Sequence, residues 1–141
     1  MNTKRIVLFL VFIALAVSGV FAQDAQLPQG RYRSLYPHYF DVCLVTPNST
    51  YDPQQVKKIP QSGYYTFEFA NSGWVKVTMV GQMRGNKIQA RIVWSMESDR
   101  NIGSDPKFRI GNTFEITVIP PQSFEAKDFS SAFYSWSSSS R

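Results

Sequence analysis

The sequence predicts an all-β protein, a small antiparallel up-and-down β-barrel of about seven to eight strands. Two observations favour this class. Apolar and polar residues alternate over several short segments, as a sheet with one buried face requires. Turn residues separate those segments at short intervals. The 141-residue chain has one cysteine, so no internal disulfide supports it. Because closure hides strand edges best, a barrel is favoured over a β-sandwich.

The N-terminus predicts a secretory signal peptide. Two basic residues precede the apolar run Ile6–Val17, and the segment after it ends with residues small enough for signal peptidase at Val20 and Ala22. This three-part pattern predicts cleavage between Ala22 and Gln23, and export to the periplasm or the extracellular space. An uncleaved anchor is the alternative, but the apolar stretch lies at the lower limit of a membrane span. After cleavage we expect no integral membrane protein.

We divide the chain into a signal peptide at residues 1–22, a loose polar leader at 23–29, a β domain at 30–126 and an aromatic, serine-rich tail at 127–141. The full chain has 15 basic and 10 acidic residues. Cleavage removes Lys4 and Arg5, which leaves 13 against 10 and a net charge of +3. A surplus this small does not indicate a nucleic-acid partner.

The first strands are predicted at Gly30–Tyr36 and His38–Thr46, on either side of Pro37. The segment Pro47–Pro60 contains three prolines and is predicted to be a long loop. It includes Asn48–Ser49–Thr50, which makes Asn48 a possible glycosylation site.

The clearest pattern predicts a three-stranded meander from Tyr64 to Met96. Asn71–Ser72–Gly73 reads as a three-residue hairpin loop with glycine at the position that needs positive φ. This loop sets Phe69 opposite Val75, and it continues by pairing Phe67 with Val77, Tyr65 with Met79 and Glu68 with Lys76. A second loop follows at Gly81–Asn86. The resulting barrel core candidates are Tyr65, Phe67, Phe69, Val75, Val77, Met79, Ile88, Ile92, Trp94, Phe114, Ile116 and Val118.

The C-terminal half is less regular. A polar loop at Glu97–Pro106 precedes a predicted hairpin of Lys107–Ile110 and Thr113–Ile119, and the prolines at 120 and 121 are expected to end the sheet. Phe124–Tyr134 has helical spacing, which predicts a short C-terminal helix that runs on to Trp136. A frayed terminus with docked aromatic side chains is the equal alternative.

No catalytic constellation is visible, so we predict no enzyme, no cofactor and no metal site. The single histidine, His38, lies on the opposite strand face from Cys43, which disfavours a thiol–imidazole pair. Asp99 and Asp105 share a polar loop that lacks the spacing of a calcium loop. Glu68 is expected to pair with a lysine, and a pair of converging carboxylates is not indicated.

Two further features allow a functional interpretation. Cys43 is either a buried free thiol or forms a disulfide with a cysteine of another chain. A basic stripe that binds single-stranded nucleic acid is a second interpretation, but the neighbouring aromatic residues are predicted to face inward, so a solvated sheet face is favoured. The members of this stripe are Arg84, Lys87, Arg91, Lys107 and Arg109.

The order of these parts resembles the lipocalin-like, or calycin, barrels of secreted proteins. The resemblance is carried by Leu27–Arg33 after the signal, the meander Gly63–Met96, the turn Gly111–Asn112 and the possible C-terminal helix. Gly30–Arg31–Tyr32 stands where that family has Gly-x-Trp, and the family's disulfide is absent. The resemblance implies a barrel that holds an apolar or amphipathic ligand in its mouth.

We therefore expect a secreted or periplasmic, non-catalytic binding protein with an unknown small apolar ligand. The bulky core candidates are large enough to fill so small a barrel, however. The alternative is a cell-envelope structural or interaction module that contacts an envelope protein through a sheet edge, the aromatic C-terminus or Cys43. A secreted hydrolase is the weakest of the three, because no motif supports it. The oligomeric state is left open.

Overall fold

The chain forms a closed antiparallel barrel. The computed structural model describes residues 23–34, 40–127 and 133–138, so the predicted signal peptide with Ala22, and also His38, lie outside the described residues. Each strand pairs with the next along the chain, and β8 pairs back with β1, which closes the barrel. The predicted up-and-down barrel is confirmed. The strands are β1 (Gly30–Ser34), β2 (Val42–Asp52), β3 (Lys57–Asn71), β4 (Trp74–Arg84), β5 (Lys87–Ser95), β6 (Thr113–Ile119), β7 (Ser123–Lys127) and β8 (Phe133–Ser138).

Aromatic rings fill the interior. Phe67 and Phe124 meet edge-on, with 5.4 Å between ring centroids. Tyr32 lies 5.4 Å from Phe124, and Phe40 lies 5.4 Å from Phe108. Tilted and edge-to-face contacts of this kind add to the stabilisation from burial alone. The lumen is therefore packed with side chains along these contacts.

Ten of the twelve core candidates are buried, with side chains inside the barrel. They are Tyr65, Phe67, Phe69, Val77, Met79, Ile88, Ile92, Phe114, Ile116 and Val118. The other two, Val75 and Trp94, are half-buried and line a groove outside the barrel. Two β-bulges account for both exceptions.

The first bulge lies in the β3–β4 hairpin. The loop has two residues, Ser72 and Gly73, both with positive φ (54° and 81°), instead of the predicted three. A register shift then sets Phe69 opposite Val77, so the predicted pairing of Phe69 with Val75 is wrong. A bulge adds one residue to one strand, which apolar alternation does not reveal. The other predicted pairs shift as well: Phe67 lies opposite Met79, Tyr65 opposite Gly81 and Glu68 opposite Thr78.

The second bulge lies in β5. Thr78 pairs with Trp94 and the next residue, Met79, pairs with Ile92, which leaves Val93 as the extra residue. Trp94 therefore shares the outer face with Thr78, and its assignment to the core is wrong. The β4–β5 turn is also tighter than predicted, since strand pairing continues to the end of β4 and the beginning of β5.

The predicted loop at Pro47–Pro60 is wrong, because β2 and β3 continue through it as a paired hairpin. Lys58 Nζ lies 2.7 Å from Glu68 Oε1, although the two residues are ten positions apart along β3. A straight strand of that length would span roughly 33 Å. The hairpin therefore folds back onto the outer face of its own sheet.

The fold-back occurs at two facing residues with positive φ, Asn48 (52°) and Gly63 (82°). Asn48 Oδ1 accepts a hydrogen bond from the Gly63 N–H at 3.1 Å. We call residues 49–62 the flap. Beneath it, Thr66 and Thr78 are buried although their side chains lie on the outer face of the barrel.

The segment between β5 and β6 contains two short helices instead of a loop and a strand. Helix α1 (Arg100–Gly103) begins after Asp99, and a 3₁₀ helix spans Pro106–Phe108. The predicted strand Lys107–Ile110 is thus wrong. The side chain of Phe108 nevertheless enters the core, because its ring packs on Phe40.

The C-terminal prediction is also corrected. Pro120 and Pro121 form a turn, after which the sheet continues as β7 and β8. A helix through this region is wrong for the described parts, and residues 128–132 lie outside them. Phe124, at the start of the predicted helix, lies in strand β7 with its side chain in the barrel interior. The barrel consequently extends past residue 126.

The leader is packed rather than loose. Leu27 is buried, and its N–H donates to the Tyr65 hydroxyl at 3.3 Å. The Tyr32 hydroxyl donates to the Pro28 carbonyl at 2.7 Å, and burial raises the pKa of Tyr32 to about 12. The Ala25 N–H donates to a carbonyl of the β4–β5 turn at 2.7 Å. The leader therefore forms part of the folded domain.

Gly81 is the position where β4 and β5 leave no room for a side chain. A Cβ there would meet the Ile88 side chain, and it would lie 2.7 Å from the Gln89 carbonyl oxygen. We expect Gly81→Ala to lower the free energy of unfolding by about 2 kcal/mol, because backbone must move to admit the methyl group. Urea unfolding measures this loss. Gly30→Ala is the control, since a methyl group at that position would have no atom within 4 Å; equal losses at both sites would contradict the steric argument.

Candidate functional site

Two grooves lie beside the flap, both on the outer surface of the barrel. The first, of about 770 Å³, runs over β4 and β5 and is bordered by Thr50 of the flap. We call it the basic groove, because Arg84, Lys87 and Arg91 line it. The second, of about 460 Å³, lies between the flap and the barrel, and we call it the flap groove. Both volumes fall in the range of small-ligand sites.

Strand geometry places the three cations of the basic groove on one face. Arg84 lies opposite Lys87 across the β4–β5 pair. Lys87 and Arg91 are four residues apart on β5, which separates them by roughly 13 Å on the same face. Lys87 Nζ lies 3.2 Å from Glu115 Oε1. Because both side chains are exposed, this ion pair contributes little to the stability of the fold. Among the described residues, Arg91 has no ion-pair partner.

The floor of the basic groove is apolar. Val80 and Val93 lie on the outer face and line it, together with the half-buried Tyr64. An apolar floor beside three cations and one carboxylate suits a ligand with an apolar body and an acidic group. The groove therefore combines hydrophobic contact with charge complementarity.

The flap groove has a barrel side and a flap side. Glu68, Thr78 and Trp94 form a row across β3, β4 and β5, since each lies opposite the next. The flap contributes Tyr51 and, at its tip, Val56. Burial and the nearby Glu68 carboxylate raise the pKa of Tyr51. This row and the facing ring of Tyr51 give the flap groove both apolar and polar walls.

Three of the five residues in the predicted basic stripe line one groove, and two lie elsewhere. Lys107 Nζ is 3.9 Å from Asp105 Oδ2 and 6.0 Å from the Phe108 ring centroid. Arg109 is exposed and does not line either groove. The predicted stripe is therefore not one continuous surface, because Lys107 and Arg109 belong to the helical segment between β5 and β6.

Two acidic residues of the 97–106 segment, Asp99 and Asp105, have structural roles. Asp99 Oδ1 accepts from the Asn101 and Ile102 N–H groups at 2.9 and 3.2 Å, which caps helix α1. Its other oxygen lies 2.7 Å from Lys76 Nζ, and that hydrogen bond is the main reason why the pKa of Asp99 is lowered. Asp105 caps the 3₁₀ helix in the same manner. Within the described residues, no group of three or more metal-ligating side chains occurs.

Cys43 lies inside the barrel with no exposed surface. Burial, followed by the negative charge of Glu68, raises the pKa of its thiol well above the ordinary value. An intermolecular disulfide would require the folded barrel to open. The described strands also form a closed ring. Two routes expected for an interaction module, a free sheet edge and an accessible thiol, therefore have no counterpart in the described part of the chain.

Asn48 is exposed and takes part in the bend at the flap. Its Oδ1 is engaged by Gly63, and the described contacts leave its Nδ2 without a partner. Glycosylation of Asn48 stays a prediction. Gln23, on the carboxyl side of the predicted cleavage, is exposed.

Sequence reasoning misses the flap groove entirely. It places the aromatic walls of this groove, Tyr51 and Trp94, in a loop and in the core. A usable signal is present in the pair Asn48 and Gly63, since both residue types tolerate positive φ. They bracket a stretch that can be paired as one hairpin.

Comparison of the chain with known protein families, curated proteins and solved structures finds no match. The architecture is consistent with a calycin-like barrel and compatible with a binding protein. No helix among the described residues is long and apolar enough to cross a membrane.

Because the thiolate is the reactive form of cysteine, Cys43 should resist thiol reagents in the native state. We expect 5,5′-dithiobis(2-nitrobenzoate) to label the protein at mildly alkaline pH only after unfolding in urea. The control is the double variant Cys43→Ser, Ser62→Cys, whose thiol lies at an exposed flap position and should react at once. Rapid native labelling of Cys43 would contradict its burial.

Proposed function

We propose that the protein is an exported, non-catalytic binding protein that holds a small amphipathic anion in the basic groove. The observation that carries this proposal is the location of the space that a ligand could occupy. Aromatic rings pack the lumen, whereas a groove of about 770 Å³ lined by three cations lies outside the barrel. The ligand would place its apolar body on Val80 and Val93 and its acidic group near Arg91. Binding in the barrel mouth, as in lipocalins, is replaced here by binding on the barrel wall.

Arg91 supports the choice of an anion. Its neighbours in the groove, Lys87 and Arg84, already contact Glu115 and Gln82, respectively. Arg91 has no such partner among the described residues, and its guanidinium can bind a carboxylate through two parallel hydrogen bonds. An acidic ligand would therefore find one cation that need not first leave another contact.

Export is the first part of the proposal to test. We expect the full-length chain, produced in a host with a general secretion pathway, to be cleaved between Ala22 and Gln23. Mass spectrometry of the exported protein measures the new N-terminus. Ala22→Arg should block processing, since signal peptidase requires a small residue there, whereas Ser18→Arg is not the cleavage residue and serves as the comparison. A cytoplasmic, full-length product from the unaltered chain would contradict export.

Ligand binding is tested with laurate, a carboxylate with a saturated chain. We expect calorimetric titration of the mature protein to show saturable binding, and Arg91→Glu to raise the Kd about tenfold by replacing attraction with repulsion. Added salt should weaken binding to the unaltered protein, because the charges are near the surface.

Arg109→Glu is the matched control, since it makes the same charge change at an exposed residue outside the groove. Its Kd should stay close to that of the unaltered protein. Equal weakening by both variants would indicate general attraction rather than a site. Laurate binding that is unchanged in Arg91→Glu would place the ligand elsewhere, including the lumen, and would refute the proposal.

A further inference from the structure

The flap groove contains a buried polar group without a partner. Thr78 is 1 % exposed, and its hydroxyl makes no hydrogen bond within the described residues. Thr66, the other buried threonine, differs because Ser49 Oγ donates to its hydroxyl at 2.9 Å. An unpaired buried hydroxyl is costly, and native proteins rarely retain one. Thr78 therefore points to a polar group that is supplied from outside the chain.

Other polar groups around the groove are also unengaged. The indole N–H of Trp94 and the hydroxyl of Tyr51 have no hydrogen-bond partner within the described residues, and Lys57 has no ion-pair partner there. Lys58 differs, since Glu68 neutralises it at 2.7 Å. The groove thus offers several hydrogen-bonding groups and only one uncompensated charge.

These polar groups lie beside apolar surfaces. The rings of Tyr51 and Trp94 line the groove. Val75 of β4 adds an apolar side chain on the barrel side. A fatty chain would cover the rings and leave the Thr78 hydroxyl and the indole N–H unpaired. A simple inorganic anion would use Lys57 and leave the rings uncovered.

We propose that the flap groove is a saccharide site, in which a sugar ring lies against Trp94 and Tyr51 and one of its hydroxyls pairs with Thr78. A pyranose ring has an apolar face made of C–H groups and an edge of hydroxyls that both donate and accept. This combination satisfies both surfaces of the groove. The site is separate from the basic groove, so its test does not depend on laurate binding.

The test is saturation-transfer NMR on the mature protein with glucose, galactose, mannose, N-acetylglucosamine, glucuronate and short oligomers of each. We expect transfer to the ring protons of at least one of these sugars, at millimolar concentration. Trp94→Ala should weaken that binding about tenfold, because stacking is lost. Trp74→Ala is the matched control, since the Trp74 side chain is 66 % exposed and does not line the groove, and it should bind like the unaltered protein.

Thr78→Val is the decisive variant, because it keeps the shape of the side chain and removes only the hydroxyl. We expect sugar binding to weaken about fivefold, since the sugar hydroxyl loses its partner. In the free protein the same change removes an unpaired buried hydroxyl, so the Tm should rise by roughly 4 °C. If Thr78 had a purely structural role, its substitution would not raise the Tm and weaken sugar binding at the same time.

Three results would overturn the proposal. One is the absence of transfer to every sugar of the panel. Another is sugar binding that is unchanged in both Trp94→Ala and Thr78→Val. The third is a fall of the Tm in Thr78→Val, which would mean that the hydroxyl already has a stabilising partner. Laurate titration of each variant shows whether the basic groove is still intact, so failure of this site is distinguishable from failure of the proposed function.

Discussion

Both grooves depend on the sharp bend that Asn48 and Gly63 make together. Two facing residues adopt positive φ, and the Asn48 side chain accepts a hydrogen bond from the Gly63 N–H. Without this bend the hairpin would extend beyond the barrel as a free two-stranded ribbon, which is marginally stable in water. Folded back, it gains an ion pair between Lys58 and Glu68 and buries outer-face threonines. The same bend turns an ordinary solvated sheet face into two sheltered surfaces.

The core side chains that stabilise the barrel are, apart from Ile88, different from those that line the two proposed binding grooves. Along the described strands the interior is filled by aromatic and aliphatic side chains, which hold the fold together. The charged side chains that line the two grooves lie on the outer face, where the flap shelters some of them from water. Buried polar groups are costly unless paired, so a sheltered surface of this kind can be selective for ligands that complete its hydrogen bonds.

The sequence contains enough information for the fold class and most of the core, but not for the site. Alternation determines which residues of a strand share a face, and it identifies Phe67, Ile88 and Ile116 as interior. A bulge reverses that alternation without changing composition, so the pattern places Val75 and Trp94 on the wrong side. Prolines suggest a loop where Pro47 and Pro60 lie in paired strands beside a bulge and a bend. The grooves arise from strand segments far apart in sequence, and no local pattern records that juxtaposition.

The anchoring of the leader fixes the position of Asp24, next to the residue at which a chain cleaved at the predicted site would begin. Asp24 Oδ1 accepts a hydrogen bond from the Gly85 N–H at 2.7 Å, and the next residue donates to the Gly85 carbonyl. Gly85 follows Arg84 directly as the first residue of the β4–β5 turn, at one end of the basic groove. Any extension upstream of Gln23, such as an affinity tag, would therefore leave the domain beside these cations. An acidic tag there would compete for them, and a C-terminal tag avoids this interference.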